Sequence, residues 1–264
     1  MTTEMIDIGV NLTNSRFDKD RNIVLENALS VGVSHQIITG TNLLESEKAL
    51  ELCLQHNNLY CTAGVHPHDA DNVAVDYIEQ LSKLASYPKV RAIGECGLDF
   101  NRNFSTPENQ QRVFSEQVNL ASEVNMPLFL HQRDAFDAWQ NILTPALSKI
   151  PAAVSHCFTG NLKELKACLD MGLYIGITGW ICDDRRGQEL YDIARYIPLD
   201  RIMIETDAPY LTPRTIRPKP KSSRNEPKYL PFVAQTLAQA MGIDTNTLIM
   251  HTSNNAKRCF QITG

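Results

Sequence analysis

Short apolar segments alternate with amphipathic segments along almost the whole chain. The apolar segments have the length of buried strands, and they span residues 5–9, 36–40, 60–65, 90–94, 127–130, 152–155, 173–177 and 202–205. Between them, apolar residues recur at helical spacing among charged residues, as in residues 16–31. This order predicts eight strands, each followed by a helix, which is the order of an α/β protein with a single (β/α)8 TIM barrel.

An open, doubly wound sheet is the alternative that the same alternation allows. Such sheets carry a glycine-rich phosphate-binding motif after the first strand, and no such motif follows residues 5–9. The composition does not change along the chain, so residues 1–264 are predicted to form one domain. A proline-rich basic loop over residues 213–231 follows the eighth strand and is predicted to lie over the mouth of the barrel.

Composition limits the class of protein further. The first residues have neither the basic nor the apolar segment of a signal peptide, and no apolar run is long enough to cross a bilayer. Seven scattered cysteines favour free thiols in a reducing compartment, so we expect a cytoplasmic protein. We also expect a monomer, although no residue pattern indicates the oligomeric state. The formal net charge of −5 argues against a protein that coats duplex DNA.

Four of the predicted strands are followed by a residue of a type that commonly binds metals. Glu95, His131 and His156 follow the fourth, fifth and sixth strands, and Asp207 follows the eighth. Because the carboxyl ends of barrel strands meet at one face, we expect these four side chains to share a metal ion. A buried glutamate also requires a positive partner, since desolvating its charge is costly.

Imidazoles and carboxylates without a thiolate suit Mg²⁺, Mn²⁺ or Zn²⁺, and the carboxylates favour Mg²⁺. Two further residues are predicted to take part in catalysis. Glu205 lies beside Asp207 at the end of the eighth strand, and His66 follows the third strand, from where it is expected to contact phosphate or water. Asp99, four residues after Glu95, is interpreted as a residue that fixes the following loop.

Cationic residues are the second functional signal. The loop after the eighth strand contains a cluster of them, Arg214, Arg217, Lys219, Lys221 and Arg224. A basic, proline-stiffened loop beside a metal site is typical of a protein that binds a polyanion, although a solvated charge run is the alternative. Arg133, Arg224 and His68 are the predicted substrate-binding residues, and single-stranded DNA or RNA is the predicted partner, without membrane association.

With these residues in place, the chain resembles the TatD-type metal-dependent deoxyribonucleases of the amidohydrolase-like barrel superfamily. The resemblance runs nearly end to end and rests on six ordered motifs, Gly64-Val-His-Pro-His68, Gly94-Glu-Cys-Gly-Leu-Asp99, His131-Gln-Arg-Asp134, His156-Cys-Phe-Thr-Gly160, Glu205-Thr-Asp-Ala-Pro-Tyr210 and Arg224-Asn-Glu-Pro227. It implies a TIM barrel and a 3′→5′ exonuclease on single-stranded DNA and RNA with a role in DNA repair. The family's metal-ligand positions fall on Glu95, His131, His156 and Asp207.

One motif departs from many members of the family, which carry His-x-His after the first strand. This chain has Gly9 and Asn11 at those positions, which favours a single firmly held ion over two. The expected mechanism is metal-assisted hydrolysis, in which Asp207, with Glu205 near it, orients or deprotonates the attacking water. Two alternatives stay open at this point: a carbonyl hydrolase of the amidohydrolase type, and a catalytically inactive barrel that only binds nucleic acid.

Overall fold

Parallel strands and helices alternate along the polypeptide, as the hydrophobic pattern predicts. The structure, a computed structural model, describes residues 4–262, so residues 1–3 and 263–264 of the predicted domain lie outside the described part. The strands are β1 (Met5–Val10), β2 (Val33–Ile38), β3 (Leu59–Ala63), β4 (Val90–Asp99), β5 (Leu128–Arg133), β6 (Ala153–Ser155), β7 (Tyr174–Ile177) and β8 (Ile202–Ile204). The helices are α1 (Arg21–Ser30), α2 (Leu43–Gln55), α3 (Tyr77–Ala85), α4 (Pro107–Glu123), α5 (Phe136–Leu143), α6 (Leu162–Asp170), α7 (Gln188–Ile193), α8 (Leu230–Met241) and α9 (Thr245–Phe260).

The eight strands form one sheet in their sequence order, from β1 to β8. The first and last strands also lie side by side, because Asp207 N donates to Gly9 O (2.8 Å) and Asn11 N donates to Ala208 O (2.7 Å). A doubly wound sheet would reverse its strand order at a switch point, whereas this order is sequential. The predicted (β/α)8 barrel is therefore confirmed.

The described residues group into two compact units. One unit comprises the chain up to Ile38, the segment Cys157–Asp170 and the chain from Tyr174 onward, and it contains β1, β2, β7 and β8. The other comprises Thr39–His156 and Met171–Leu173, and it contains β3 to β6. Each unit buries large apolar side chains, Phe17 and Phe260 in the first and Trp139, Phe114 and Phe129 in the second.

Strands β4 and β5 extend beyond the predicted ends at residues 94 and 130. They run to Asp99 and Arg133, so Glu95 and His131 lie within strands instead of following them. Gly97 allows β4 and β5 to pair closely beyond those predicted ends. Gly97 is paired with His131 at φ +148°, and a Cβ there would overlap the His131 carbonyl oxygen.

Helix bounds differ from the prediction mainly at the first turns. The segment predicted as one helix over residues 16–31 begins as a 3-10 turn, Ser15–Phe17, before α1. The loop predicted over residues 213–231 ends in a 3-10 helix, Pro227–Tyr229, and Pro231 lies in the first turn of α8, where a missing amide proton is tolerated. None of the helices within residues 4–262 is long and apolar enough to cross a membrane.

Candidate metal centre

The Glu95 carboxylate is the centre of a buried cluster in the unit that contains β3 to β6. Glu95 is 6% exposed, and three imidazole nitrogens surround its Oε1 atom. His156 Nε2 lies 2.8 Å from this oxygen, His131 Nδ1 2.9 Å and His66 Nε2 3.3 Å. The structure thus brings together three of the four predicted metal ligands and the predicted catalytic His66.

The protonation of the cluster follows from burial and charge. Burial alone would raise the pKa of Glu95, but the charges of His156 and His66 and the hydrogen bonds from His131 and His156 hold that pKa well below its usual range. Burial lowers the pKa of His66. Burial also acts to lower the pKa of His131, but the nearby Asp99 carboxylate and the hydrogen bond to Glu95 outweigh it and raise that pKa. Glu95 is therefore a buried anion, ready to hold a cation.

One nitrogen of the cluster, His131 Nε2, is suited to bind a metal ion. His131 Nε2 is buried and has no hydrogen-bond partner among the described residues, and its distance of 3.7 Å to Asp99 Oδ2 is too long for a hydrogen bond. Ligand atoms of His66, Glu95 and His131 all lie within 4.8 Å of one another. A carboxylate and imidazoles form a donor set that binds divalent ions and does not select one of them.

Helix α4 fixes the backbone next to the cluster through two buried glutamines. Gln117 Oε1 accepts from Val65 N (2.8 Å) and its Nε2 donates to Val65 O (3.0 Å), which holds the residue before His66. Two turns earlier, Gln110 Oε1 accepts from Asp99 N (2.9 Å) and its Nε2 donates to Asp99 O (3.2 Å). Two glutamines seven residues apart thus position the exits of β3 and β4.

Asp99 fixes the loop after β4, as predicted, and also contacts a predicted substrate-binding residue. Its Oδ1 accepts from Asn101 N (3.0 Å) and Arg102 N (2.9 Å). Its Oδ2 lies 2.7 Å from His68 Nε2, which orients the His68 imidazole. Burial would raise the pKa of Asp99, but the nearby His131 imidazole and hydrogen bonds from His68 and the Arg102 backbone lower it, so this carboxylate also stays charged.

The two glutamines and the contact between Asp99 and His68 were not predicted from the sequence. Glutamine is usually exposed on a helix, so Gln110 and Gln117 looked like solvent-facing residues. Their positions on the face that also carries Val113 and Phe114 were the only available signal. Polar residues on an apolar helix face need a buried partner, and here backbone groups at two strand exits provide it.

Asp207 and Glu205 belong to the other compact unit. Asp207 has a φ of +53°, and its Oδ1 accepts a hydrogen bond from Asn11 Nδ2 at 2.9 Å. Glu205 is fully buried and accepts from Cys157 N at 2.5 Å. Their predicted roles as ligand and catalytic residues stay predictions.

Thr206, which lies between Glu205 and Asp207 in the chain, forms hydrogen bonds with two different segments. Thr206 donates from N (2.9 Å) and Oγ1 (2.5 Å) to the buried Asp7 carboxylate. Its carbonyl oxygen accepts from Asn225 Nδ2 at 2.9 Å. The backbone that carries Asp207 is therefore tied to β1 and to the segment before α8.

The two predicted substrate-binding arginines have different surroundings. Arg133 is exposed at the end of β5. Arg224 is only 17% exposed in its side chain and forms a bidentate pair with Asp20 (2.7 and 2.8 Å), with Glu226 Oε1 at 3.0 Å. These ion pairs favour a structural role for Arg224, and its contact with substrate stays a prediction.

Comparisons with known proteins were made for the whole chain. A family model described as TatD related DNase matches residues 6–261. The 3'-5' ssDNA/RNA exonuclease TatD of Escherichia coli strain K12 is 52% identical over 258 residues, covering 98% of this chain and 99% of that protein. The protein of the same name from Pectobacterium parmentieri is 55% identical over 260 residues, covering 98% and 100%.

Two solved structures of TatD-related proteins are similar to this chain over nearly its whole length. The crystal structure of a TatD homologue from Escherichia coli K12 has a TM-score of 0.90 at 26% identity and covers 100% of both chains. A TatD family hydrolase from Entamoeba histolytica has a TM-score of 0.89 at 27% identity, covering 98% of this chain and 99% of that one.

Proposed function

Because the chain belongs to the TatD-related DNase family, we propose that it is a divalent-metal-dependent nuclease that hydrolyses phosphodiester bonds of nucleic acid. The observation that carries this proposal is the buried Glu95 carboxylate with three imidazoles around one oxygen and an unpaired nitrogen on His131. The finer activity, 3′→5′ removal of nucleotides from single-stranded DNA and RNA, is supported by the names of relatives more than half identical to this chain.

Four side chains of the cluster are proposed to hold the ion and the scissile phosphate. Glu95, His131 and His156 are the proposed metal ligands in the unit that contains β3 to β6. When bound there, a divalent ion supplies Lewis-acid polarisation of the phosphate and makes a nearby water more acidic. His66, whose pKa is lowered by burial, is proposed to donate one hydrogen bond to a phosphate oxygen.

Asp207 is the proposed fourth ligand and general base, with Glu205 beside it in sequence. The Asn11 amide donates to one Asp207 oxygen and so orients the carboxylate that is proposed to accept the proton of the attacking water. Asn11 stands where many relatives carry a histidine, and an amide orients a carboxylate without competing for a cation. We therefore propose one firmly held ion, with Mg²⁺ as the physiological choice.

Substrate contacts and cellular setting complete the proposal. Arg133 and His68 are proposed to bind the strand near the cluster, and Arg224 is retained as a weaker candidate because of its ion pairs. We propose that residues 1–264 act as one hydrolase domain, monomeric, with a role in DNA repair. A cytoplasmic location is supported by the seven cysteines, all described and all free thiols.

A time course on an end-labelled single-stranded oligonucleotide tests the proposal. With a 5′ label and Mg²⁺ or Mn²⁺, a 3′→5′ exonuclease produces a ladder of progressively shorter labelled products. With a 3′ label, the labelled mononucleotide is released at once. EDTA is expected to stop both reactions, and the wild-type protein with a panel of amides and lactones is expected to show no turnover.

A pair of matched variants assigns the reaction to this site. Asp207→Asn is expected to reduce the rate by at least about a hundredfold, because it removes a proposed base. Asp200→Asn makes the same change at a carboxylate that is 62% exposed, and it is expected to keep wild-type activity. Full activity of Asp207→Asn, or activity that survives EDTA, would contradict the proposal.

A further inference from the structure

A groove of about 680 Å³ opens in the unit that contains β7 and β8. One wall is the loop after β8, from Leu211 to Ser223, and the other is the turn after β7 at Asp183, Asp184 and Arg186. This size lies within the usual range for ligand-binding clefts. None of the residues that line the groove belongs to the cluster around Glu95.

The lining of the groove is predominantly cationic. Four of its side chains are positive, Arg186, Arg214, Arg217 and Lys219, and two are negative, Asp183 and Asp184. Asp183 is buried and is already paired, with Arg186 Nη2 at 2.9 Å and Arg214 Nη1 at 3.8 Å. The groove therefore has a positive field in a protein whose formal net charge is −5.

The groove is built from ordered contacts. The Arg186 guanidinium lies over the Trp180 ring, 4.4 Å from its centroid, which limits the motion of this side chain. Thr212 Oγ1 donates to Ser223 O at 2.8 Å and ties the two ends of the loop together. At Gly179 a Cβ would overlap the Leu211 carbonyl oxygen, so glycine there permits the close packing of the two walls.

The groove begins one turn after Asp207. Tyr210 N donates to Asp207 O at 3.0 Å, which closes this turn, and Leu211 is the first residue of the wall. Tyr210 itself is 50% exposed and directly precedes Leu211 in the chain. A strand whose scissile bond lies at Asp207 therefore meets the groove within a few nucleotides.

We propose that this groove binds the sugar-phosphate backbone of a single nucleic acid strand away from the bond being hydrolysed. The proposal rests on the proposed nuclease function and adds a binding site to it. Arginine forks and a lysine match phosphate oxygens, and a strand held by its backbone is accepted regardless of base sequence. The groove then explains why the loop after β8 carries separate cations spaced by prolines instead of a compact charge run.

Two lysines of the same loop provide the test. Lys219 lines the groove and Lys221 does not, while both are exposed and both lose one charge on substitution by glutamine. Binding of a labelled single-stranded oligonucleotide of about 12 nucleotides is measured by fluorescence anisotropy in EDTA, across a range of salt concentrations. Because EDTA stops hydrolysis, this binding result stands separately from the presence or absence of nuclease activity.

Lys219→Gln is expected to weaken binding about threefold or more at low salt and to reduce the slope of log K against log salt by about 0.7, the value for one lost contact to a single strand. Lys221→Gln is expected to change binding by less than about twofold, since an exposed charge outside the groove is screened. Asp184→Asn, which removes an 85% exposed carboxylate from the wall, is expected to tighten binding.

Equal weakening by Lys219→Gln and Lys221→Gln would overturn the proposal, because it would show a diffuse charge effect instead of a groove. No change in either variant would also overturn it. If the groove binds the strand but the protein releases no nucleotides, the binding site stands and the proposed nuclease function fails.

Discussion

Gln117 offers the sharpest test of how the fold supports the cluster. Its side chain is fully buried in α4 and forms two hydrogen bonds with the Val65 backbone, adjacent to His66. Replacing it by leucine keeps the approximate volume but removes both the acceptor and the donor. Val65 N and Val65 O would then be buried without their partner side chain.

The expected loss of stability follows from the two backbone groups, Val65 N and Val65 O. Leaving a buried backbone donor or acceptor unpaired costs about 1–3 kcal/mol each. Leucine returns about 1–2 kcal/mol through burial of apolar surface. Taking the middle of each range, we expect Gln117→Leu to lower the free energy of unfolding by about 2.5 kcal/mol, a large share of the typical total of about 5–15 kcal/mol.

Urea unfolding followed by circular dichroism, in EDTA so that metal binding does not contribute, measures this loss. Gln111→Leu on the same helix is the matched control. Gln111 is half-buried and bonds to Pro107 O of its own helix, so its substitution is expected to change the unfolding free energy by less than about 0.5 kcal/mol. Similar losses in the two variants, or a loss below about 1 kcal/mol in Gln117→Leu, would refute the reasoning.

Three further predictions concern the site, a structural ion pair and the metal. Asn11→Leu removes the amide that donates to Asp207, so turnover of an oligonucleotide is expected to fall about tenfold with little change in KM. Arg224→Gln is expected to lower the unfolding free energy by about 1–3 kcal/mol. A double-mutant cycle with Asp20→Asn is expected to show that most of this loss comes from the interaction between Arg224 and Asp20. Chelation of the metal is expected to lower the thermal unfolding midpoint. Adding Mg²⁺ at about 100 times its Kd is expected to raise the free energy of unfolding by about 2.7 kcal/mol. An unchanged midpoint would contradict metal binding to the folded state.

The positions of Glu95, His131 and His156 could be predicted because each follows an apolar segment in a regular α/β alternation. The strand ends could not, since Gly94 and Gly97 are equally typical of a turn and of two strands in close contact. Only the pairing of Gly97 with His131 decides between these interpretations, and pairing depends on a neighbour 34 residues away in sequence.

Side-chain partnerships across long separations were the least predictable part. Arg224 was interpreted as a substrate ligand because it lies in a basic loop, yet its carboxylate partner Asp20 is 204 residues away in sequence. Lys219 and Lys221 are equivalent in the local pattern, and only the folded loop separates the residue that lines the groove from the one that does not. Local periodicity determines neither choice.

Calorimetric titration of the metal-free protein with Mn²⁺ or Mg²⁺ tests the central claim most directly. The wild-type protein is expected to bind a divalent ion, and Glu95→Gln, which removes the charge at the centre of the cluster, to weaken binding by at least about a hundredfold. Glu123→Gln, the same change at an exposed position at the end of α4, is expected to bind as the wild type does. Equal metal affinity in Glu95→Gln and Glu123→Gln would contradict the account.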